Sequence, residues 1–214
     1  DSIDESKINK QAYVAFAKNL LNKKEVFGPY YNENYAKVEE PDVYQALNCF
    51  KDNSISHPIK SNLYCQNFLF ECDYLSKEEQ EEIIERIKDK LYRVVWSGNR
   101  SYHMIIRLDK PVTSTNYVTI WRYLKQQLNI MDADEAGVGP TKYTRVPGQV
   151  NPKTGEMQTL YLEDKNELNT QEILDNLPRL KDVIKPYKEY KGTRSIEALE
   201  KQIKKLDWTE GNRF

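Results

Sequence analysis

The sequence predicts an α+β domain built on the split β-α-β sheet of ferredoxin-like and RNA-recognition-motif folds. Between residues 64 and 165, apolar runs with strand character and two amphipathic helical segments follow one another in the order β-α-β-β-α-β. The chain has 214 residues, 39% of them hydrophobic, which suffices for one packed domain with an appendage. Such a sheet has one face covered by helices and leaves the other free for a site.

The first half of this pattern opens with a strand at 67–73, where Phe68, Leu69 and Phe70 form a buried run. Ser76 followed by Glu79 is a capping-box pattern, and it predicts a helix at 76–90. The apolar face of that helix consists of Ile83, Ile84, Ile87 and Leu91.

A strand at 91–96 and the turn SGNR then lead into a second strand at 102–108, which Asp109-Lys110-Pro111 is expected to end. The chain returns to helix over 113–128, and strands follow at about 143–146 and 159–162. The inner stripe predicted for this second helix is Val118, Trp121, Leu124 and Leu128.

Three domains are expected: an N-terminal extension at 1–63, a catalytic core at 64–165 and a C-terminal region at 166–214. In the extension, apolar spacing predicts a helix over 6–22, then irregular structure with a short helix near 43–50. The C-terminal region reads as a linker and a helix over 195–206, whose apolar stripe would pack on this domain or on a following helical domain.

Composition excludes few functions. The chain carries 32 basic and 33 acidic residues, a net charge of −1, so bulk charge argues neither for nor against a nucleic-acid partner. No stretch approaches the roughly 18 apolar residues of a membrane span, and no export signal opens the sequence, so the expected location is the cytoplasm. The three cysteines are expected to be reduced, and the chain, which begins at Asp1, reads as a piece of a longer protein.

Two acids lie at the end of the first strand. Side chains at i and i+2 of a strand share a face, so Glu71 and Asp73 are expected to point the same way. Adjacent carboxylates repel one another unless a cation lies between them, and such hard oxygen ligands suit Mg²⁺ or Mn²⁺. The alternative is a solvated strand end with two surface acids.

The segment WSGNRSYH combines a glycine-containing turn with Arg100, Ser101 and His103. Backbone amides in the turn, a guanidinium and a hydroxyl are parts of a triphosphate cradle. The alternative is an ordinary hairpin turn next to a structural histidine.

A third segment, DADEAGVGPTKYTRVPGQVNPKTG, begins with Asp132 and Asp134. A carboxylate from a separate segment is what a two-metal nucleotidyl-transfer site requires, because two cations need oxygen ligands from more than one direction. The alternative is a surface loop with a hairpin turn at NPKTG.

Together, FLFECD, SGNRSYH and the third segment resemble the three motifs of the archaeo-eukaryotic primase superfamily, specifically the primase-polymerase domains of phages, plasmids and other mobile elements. The resemblance covers about residues 64–162. It implies metal ligation and catalysis by three acids, nucleotide contacts from Ser101 and His103, and phosphate contacts from Arg100 and Arg145. The three acids are Glu71, Asp73 and Asp134, with Asp132 as the alternative third ligand. One departure is that the first acid is glutamate where aspartate is commoner.

The implied function is template-directed nucleotidyl transfer by two-metal catalysis with Mg²⁺ or Mn²⁺, as a DNA primase, a DNA polymerase or both, in replication of a mobile element. The implied partners are a single-stranded DNA template, a primer strand, dNTP or NTP, and a C-terminal helical domain or helicase.

Two rival functions use similar features. A metal-dependent nuclease or replication-initiation protein would also cluster acids, but a nicking initiator needs paired histidines, and His57 and His103 are far apart in sequence. A non-catalytic single-strand-binding module would place aromatic residues on the open face of the sheet, whereas this sequence places acids there.

Overall fold

The computed structural model describes residues 13–20, 23–31, 43–50, 63–136 and 138–177. Within these ranges the chain forms ten strands and three α-helices. The strands are β1 (Tyr13–Leu20), β2 (Lys23–Tyr31), β3 (Val43–Ala46), β4 (Cys49–Phe50), β5 (Leu63–Phe70), β6 (Arg93–Trp96), β7 (Tyr102–Val112), β8 (Tyr143–Arg145), β9 (Thr159–Leu162) and β10 (Glu167–Leu168). The helices are α1 (Lys77–Ile87), α2 (Tyr117–Gln127) and α3 (Thr170–Asn176).

All ten strands belong to one sheet, in the order β8-β3-β1-β4-β5-β7-β6-β9, with β2 paired to β1 and β10 paired to β7. Every pairing is antiparallel except that between β10 and β7. The class is therefore α+β, as the sequence predicts. The strands β5, β7 and β6 are neighbours, as a split β-α-β sheet requires, but the next strand in sequence, β8, pairs with β3 and not with β5. The predicted split arrangement is thus not confirmed.

Aromatic stacking fixes α2 on β5. The rings of Phe68 and Tyr117 stack with centroids 4.6 Å apart, and those of Phe70 and Trp121 with centroids 4.9 Å apart. Trp121 also donates through Nε1 to the carbonyl of Leu69 at 2.8 Å. Burying each large apolar side chain contributes about 1.5–3 kcal/mol, so these stacks form a large part of the core under the end of β5.

The capping box predicted for α1 is confirmed. Ser76 Oγ accepts from the Glu79 amide at 3.2 Å, and Glu79 Oε2 accepts from the Ser76 amide at 2.8 Å. Two amides at the helix start are satisfied in this way, which fixes the chain direction directly after the acidic segment. Ile84 and Ile87 of α1 are buried in the core.

Two central strands, β5 and β7, begin or end at residues other than those predicted. β5 spans Leu63–Phe70 and ends before Glu71, so strand alternation does not apply to Glu71 and Asp73. β7 continues through Pro111 to Val112, so the prediction that Asp109-Lys110-Pro111 ends the strand is wrong. Pairing between β5 and β7 is irregular there, since Asn67 pairs with Arg107 but Cys65 pairs with Val112, and such an irregularity accommodates a proline.

The helix predicted over 6–22 is wrong where the structure describes it, because β1 is a strand that forms a hairpin with β2. A short apolar run such as YVAF fits both periods, and pairing with β2, β3 and β4 decides in favour of the strand. The N-terminal part of the described chain therefore extends the sheet, and is not a helical extension.

The helix predicted near 43–50 is also wrong, since this segment forms β3 and β4. The buried side chain of Asn48 explains the break between them. Its Oδ1 accepts from the amides of Gln66 and Asn67, each at 2.9 Å, and its Nδ2 donates to the carbonyl of Pro140 at 3.2 Å. These bonds replace the ladder bonds that an interrupted strand loses.

The second predicted helix begins later than expected, with a short 3₁₀ turn at Ser114–Asn116 followed by α2. Trp121 and Leu124 are buried as predicted, but Val118 is 37% exposed, so its place in the inner stripe is wrong. Tyr117 and Ile120 occupy the buried face instead. The helix predicted over 195–206 lies outside the described residues.

Candidate active site

The centre of the site is the carboxylate of Glu71, in the first residue after β5. Its Oε1 lies 2.9 Å from Nε2 of His103, and its Oε2 lies 3.4 Å from Nζ of Lys142. The Glu71 side chain is 23% exposed and the His103 side chain 8% exposed. A carboxylate at the edge of solvent thus has a donor at each oxygen.

The second ring nitrogen of His103 sets the direction of this hydrogen bond. The backbone amide of Arg145 donates to His103 Nδ1 at 3.3 Å, and Thr144 Oγ1 lies 3.0 Å from the same nitrogen. Because Nδ1 accepts from an amide, the proton of the neutral imidazole is on Nε2, which donates to Glu71. Strand β8 therefore orients the histidine.

These contacts keep Glu71 ionised. Burial raises the pKa of the carboxyl group, but the contacts with His103, followed by those with Lys142, outweigh burial and lower the pKa from 4.5 to about 2. The carboxylate is therefore available as an anionic ligand at every physiological pH.

The second acidic segment contacts the first through the backbone. The amide of Asp134 donates to the carbonyl of Glu71 at 2.9 Å, while Oδ1 of Asp134 accepts from the amide of Ala136 at 2.8 Å. Asp134 is half-buried, whereas Asp73 and Asp132 are exposed. The structure thus brings the first and third motifs together at Glu71 and Asp134.

Glu71, Asp73 and Asp134 have the type of side chain that binds a hard divalent cation. All are oxygen donors, and Glu71 is an anion that already attracts His103 and Lys142. Among the residues that the structure describes, however, no group of three histidine, cysteine, aspartate or glutamate side chains is arranged to hold a metal ion. Convergence of Glu71, Asp73 and Asp134 on one ion therefore stays a prediction.

The SGNR turn is held from the helix side by Gln80, which is buried in α1. Gln80 donates through Nε2 to the carbonyl of Arg100 at 2.9 Å and accepts through Oε1 from the amide of Tyr102 at 2.9 Å. Ser101, between them, is buried, while Arg100 is exposed. One glutamine thereby fixes the backbone on both sides of Ser101.

The NPKTG loop holds the same turn from the other side. Buried Asn151 donates through Nδ2 to the carbonyl of Ser97 at 2.8 Å, and Thr154 donates through Oγ1 to the carbonyl of Gly98 at 2.5 Å. Gly98 has φ +70°, and a Cβ there would lie 2.9 Å from the carbonyl oxygen of Glu156. The turn therefore requires glycine, and the second motif packs directly on the end of the third.

Arg145 contributes its backbone to His103, but its side chain lies elsewhere. The guanidinium carbon is 4.2 Å from the ring centroid of Tyr44, the residue opposite Arg145 in the pairing of β3 with β8. Its predicted phosphate contact stays a prediction.

Sequence reasoning missed Lys142 and Thr144, which contact Glu71 and His103. The i, i+2 spacing of Lys142 and Thr144 in KYTR is a weak signal for them, because β8 begins only at Tyr143.

The cysteines take no part in this site. Those of the described residues, Cys49, Cys65 and Cys72, are free thiols, as the sequence predicts, and Cys72 is fully buried. Burial, followed by the charge of Asp132, raises the pKa of the Cys72 thiol to about 12, so the thiol is protonated and unreactive.

No protein-family model and no curated protein matches the sequence, so similarity is found at the level of structure. The chain has the fold of archaeo-eukaryotic primase (AEP) domains. It is similar to the AEP domain of the cyanophage S-2L primase-polymerase, with a TM-score of 0.58 and 14% identity over 83% of this chain and 100% of that chain. It is also similar to primase RepB′, with a TM-score of 0.51 and 14% identity over 92% of this chain and 62% of that chain.

A structure of the RepB′ catalytic domain in complex with initiator DNA is 15% identical over 74% of this chain and 79% of that chain, with a TM-score of 0.49. In the described part of the chain, no helix is long and apolar enough to cross a membrane.

Proposed function

We propose that the chain catalyses template-directed nucleotidyl transfer, as a DNA primase, a DNA polymerase or both, in replication of a mobile element. The observation that carries the proposal is the hydrogen bond of Glu71 to His103 together with that of Asp134 to the Glu71 carbonyl. Residues of all three motifs thus meet at one residue, Glu71, with His103 at its carboxylate and Asp134 at its backbone carbonyl. The primase and primase-polymerase names of the structures that share the fold support the same class of reaction.

The cofactor in this proposal is Mg²⁺ or Mn²⁺, held by Glu71, Asp73 and Asp134, with Asp132 as the alternative third ligand. When bound, such ions lower the pKa of an attacking hydroxyl and neutralise charge on the phosphates. The low pKa of Glu71, about 2, supports this role because a ligand that is already ionised needs no proton release to bind a cation.

The nucleotide in this proposal is a dNTP or NTP whose phosphates lie along the turn that precedes β7. Arg100 offers an exposed guanidinium and Ser101, which is buried beside it, a hydroxyl, while the Nε2 donor of His103 would have to turn from Glu71 to the nucleotide. Arg145 is the fourth proposed contact. Because Gln80 and Asn151 fix the backbone of this turn, the donors are positioned before the nucleotide arrives, which reduces the entropy lost on binding.

The nucleic-acid partners in this proposal are a single-stranded DNA template and a primer strand. The test is to incubate the protein with template, labelled nucleotides and Mn²⁺ or Mg²⁺, with and without primer, and to separate the products by length. Extended or newly started strands are the expected result. Shortened template would indicate a nuclease, and binding of the template without any product would indicate a single-strand-binding module.

A further inference from the structure

Lys142, the residue directly before β8, presents a cation to the site, and the proposed function does not use this cation. Thr144 Oγ1 lies 3.0 Å from His103 Nδ1, and Lys142 Nζ lies 3.4 Å from Glu71 Oε2, so the side chains at positions 142 and 144 both reach the site. Arg145 follows Thr144 and lies on the opposite face of the strand, where its guanidinium lies over the Tyr44 ring. The lysine of this segment therefore points its ammonium at Glu71, while the arginine points its guanidinium at an aromatic ring.

We propose that Lys142 is a triphosphate-binding residue of this site, and that in the nucleotide-free protein its ammonium group occupies the place of a cation at Glu71. This inference rests on the proposed function, because it takes the nucleotide and the divalent cation from it. Lys142 would leave Glu71 when the metal binds and would then bind the phosphates of the nucleotide.

The geometry at Glu71 makes the lysine and a metal ion competitors. Oε1 of Glu71 is engaged by His103 at 2.9 Å, so Oε2, next to Lys142 Nζ, is the oxygen that remains for another cation. Two positive centres at one oxygen repel each other, so a metal ion held by this carboxylate would displace the ammonium.

The contact is also of a kind that breaks readily. At 3.4 Å it is longer than the 2.7–2.9 Å typical of a strong charge-assisted hydrogen bond, and the Lys142 and Glu71 side chains are 30% and 23% exposed. Partly solvated ion pairs of this length contribute little to stability.

The backbone keeps the released ammonium nearby. The carbonyl of Lys142 accepts from the Leu47 amide at 2.8 Å, and the next residues pair with β3. Only the flexible four-carbon side chain has to move, so Lys142 stays within reach of a ligand bound beside Glu71. A lysine ammonium is a point charge that suits phosphate oxygens in many orientations.

The test compares Lys142→Gln with Lys142→Arg and with the control Lys110→Gln, an exposed lysine further along β7. Mn²⁺ binding without nucleotide is measured from the spectroscopic signal of free Mn²⁺. Binding of a non-hydrolysable deoxynucleoside triphosphate, and of the monophosphate, is measured at saturating Mn²⁺. Unfolding curves establish that each variant is folded.

The expected result for Lys142→Gln is opposite for the two ligands. Mn²⁺ binds several-fold tighter because its competitor is gone, while the triphosphate binds about tenfold to a hundredfold weaker, as loss of a charged contact predicts. Monophosphate affinity changes little, Lys142→Arg retains most of the triphosphate affinity, and Lys110→Gln matches the wild type.

If Lys142→Gln leaves the Mn²⁺ and triphosphate affinities unchanged, or weakens both by the same factor, this inference is overturned and the proposed function stays intact. A wild-type protein that binds neither Mn²⁺ nor the triphosphate would overturn both.

Discussion

Nε2 of His103 and Oε1 of Glu71 lie 2.9 Å apart, which joins the start of β7 to the end of β5. The amide of Arg145 occupies the other ring nitrogen, so the imidazole is oriented by one strand toward the carboxylate of another. This contact has consequences for stability, for nucleotide binding and for catalysis.

The first prediction concerns pH. The folded-state pKa of Glu71, about 2, lies below its ordinary value of 4.5, so its ionised form stabilises the fold above pH 4.5, and this contribution is lost as the pH falls toward 2. A shift of this size corresponds to about 3 kcal/mol. Urea unfolding at pH 6 should therefore show Glu71→Gln less stable than the wild type, with the difference nearly gone at pH 2. A difference that is constant over this range would contradict the account.

The second prediction concerns the turn before β7. Gly98→Ala should cost about 1–3 kcal/mol, since the φ of +70° is strained for alanine and the new Cβ lies 2.9 Å from the Glu156 carbonyl oxygen. Gly155→Ala has a similar φ of +76° but open space, and should cost about 1–2 kcal/mol. Gly139, where nothing lies within 4 Å, is the control. Equal unfolding free energies for the alanine variants of Gly98 and Gly139 would show that the packing of this turn is misjudged.

The third prediction concerns the core under the site. Trp121→Phe keeps a ring to stack on Phe70 but removes the Nε1 donor from the buried Leu69 carbonyl, so it should destabilise the fold by about 1–3 kcal/mol. Val118→Ala, at a position 37% exposed on the same helix, should change the free energy of unfolding by less than about 0.5 kcal/mol. Thermal unfolding of both variants measures this contrast, and the prediction fails if Val118→Ala is the more damaging change.

The fourth prediction concerns the nucleotide. His103→Ala removes the Nε2 donor at the site and should weaken triphosphate binding about tenfold to a hundredfold with the fold retained. Arg145→Ala should have an effect of similar size if its guanidinium leaves Tyr44 for a phosphate. Titration with a non-hydrolysable triphosphate measures both, and unchanged affinity in both variants would contradict the assigned roles.

Capping and periodicity patterns in the sequence correctly predicted those elements whose conformation depends on neighbouring residues. The capping box of Ser76 and Glu79, the buried run from Phe68 to Phe70 and the order of elements from β5 to β9 are all present. Each depends on neighbours within a few residues, so periodicity and capping patterns suffice.

The N-terminal strands could not be predicted in the same way. β1 contains both helix-forming and strand-forming residues, and its conformation is decided by pairing with β2, β3 and β4. The place of β8 beside β3 is likewise a long-range pairing that no local pattern specifies.

The contacts of Glu71 could be predicted from the sequence only in part. Glu71, His103 and Asp134 meet as the order of motifs suggested, yet the partner of Glu71 Oε2 is Lys142, a residue type too common to attract attention. Lys142 precedes β8, and a three-residue strand gives little periodic signal, so the structure was needed to place Lys142 at Glu71 and Thr144 at His103.

Incorporation of single nucleotides tests the central claim most directly. The wild-type protein, with Mn²⁺ or Mg²⁺ and a primed template, should add the nucleotide complementary to each of the four template bases. Glu71→Gln and Asp134→Asn should reduce this addition at least a hundredfold, while the control Lys110→Gln should not change it. Addition that ignores the template base, or that survives unchanged in Glu71→Gln, would contradict the account.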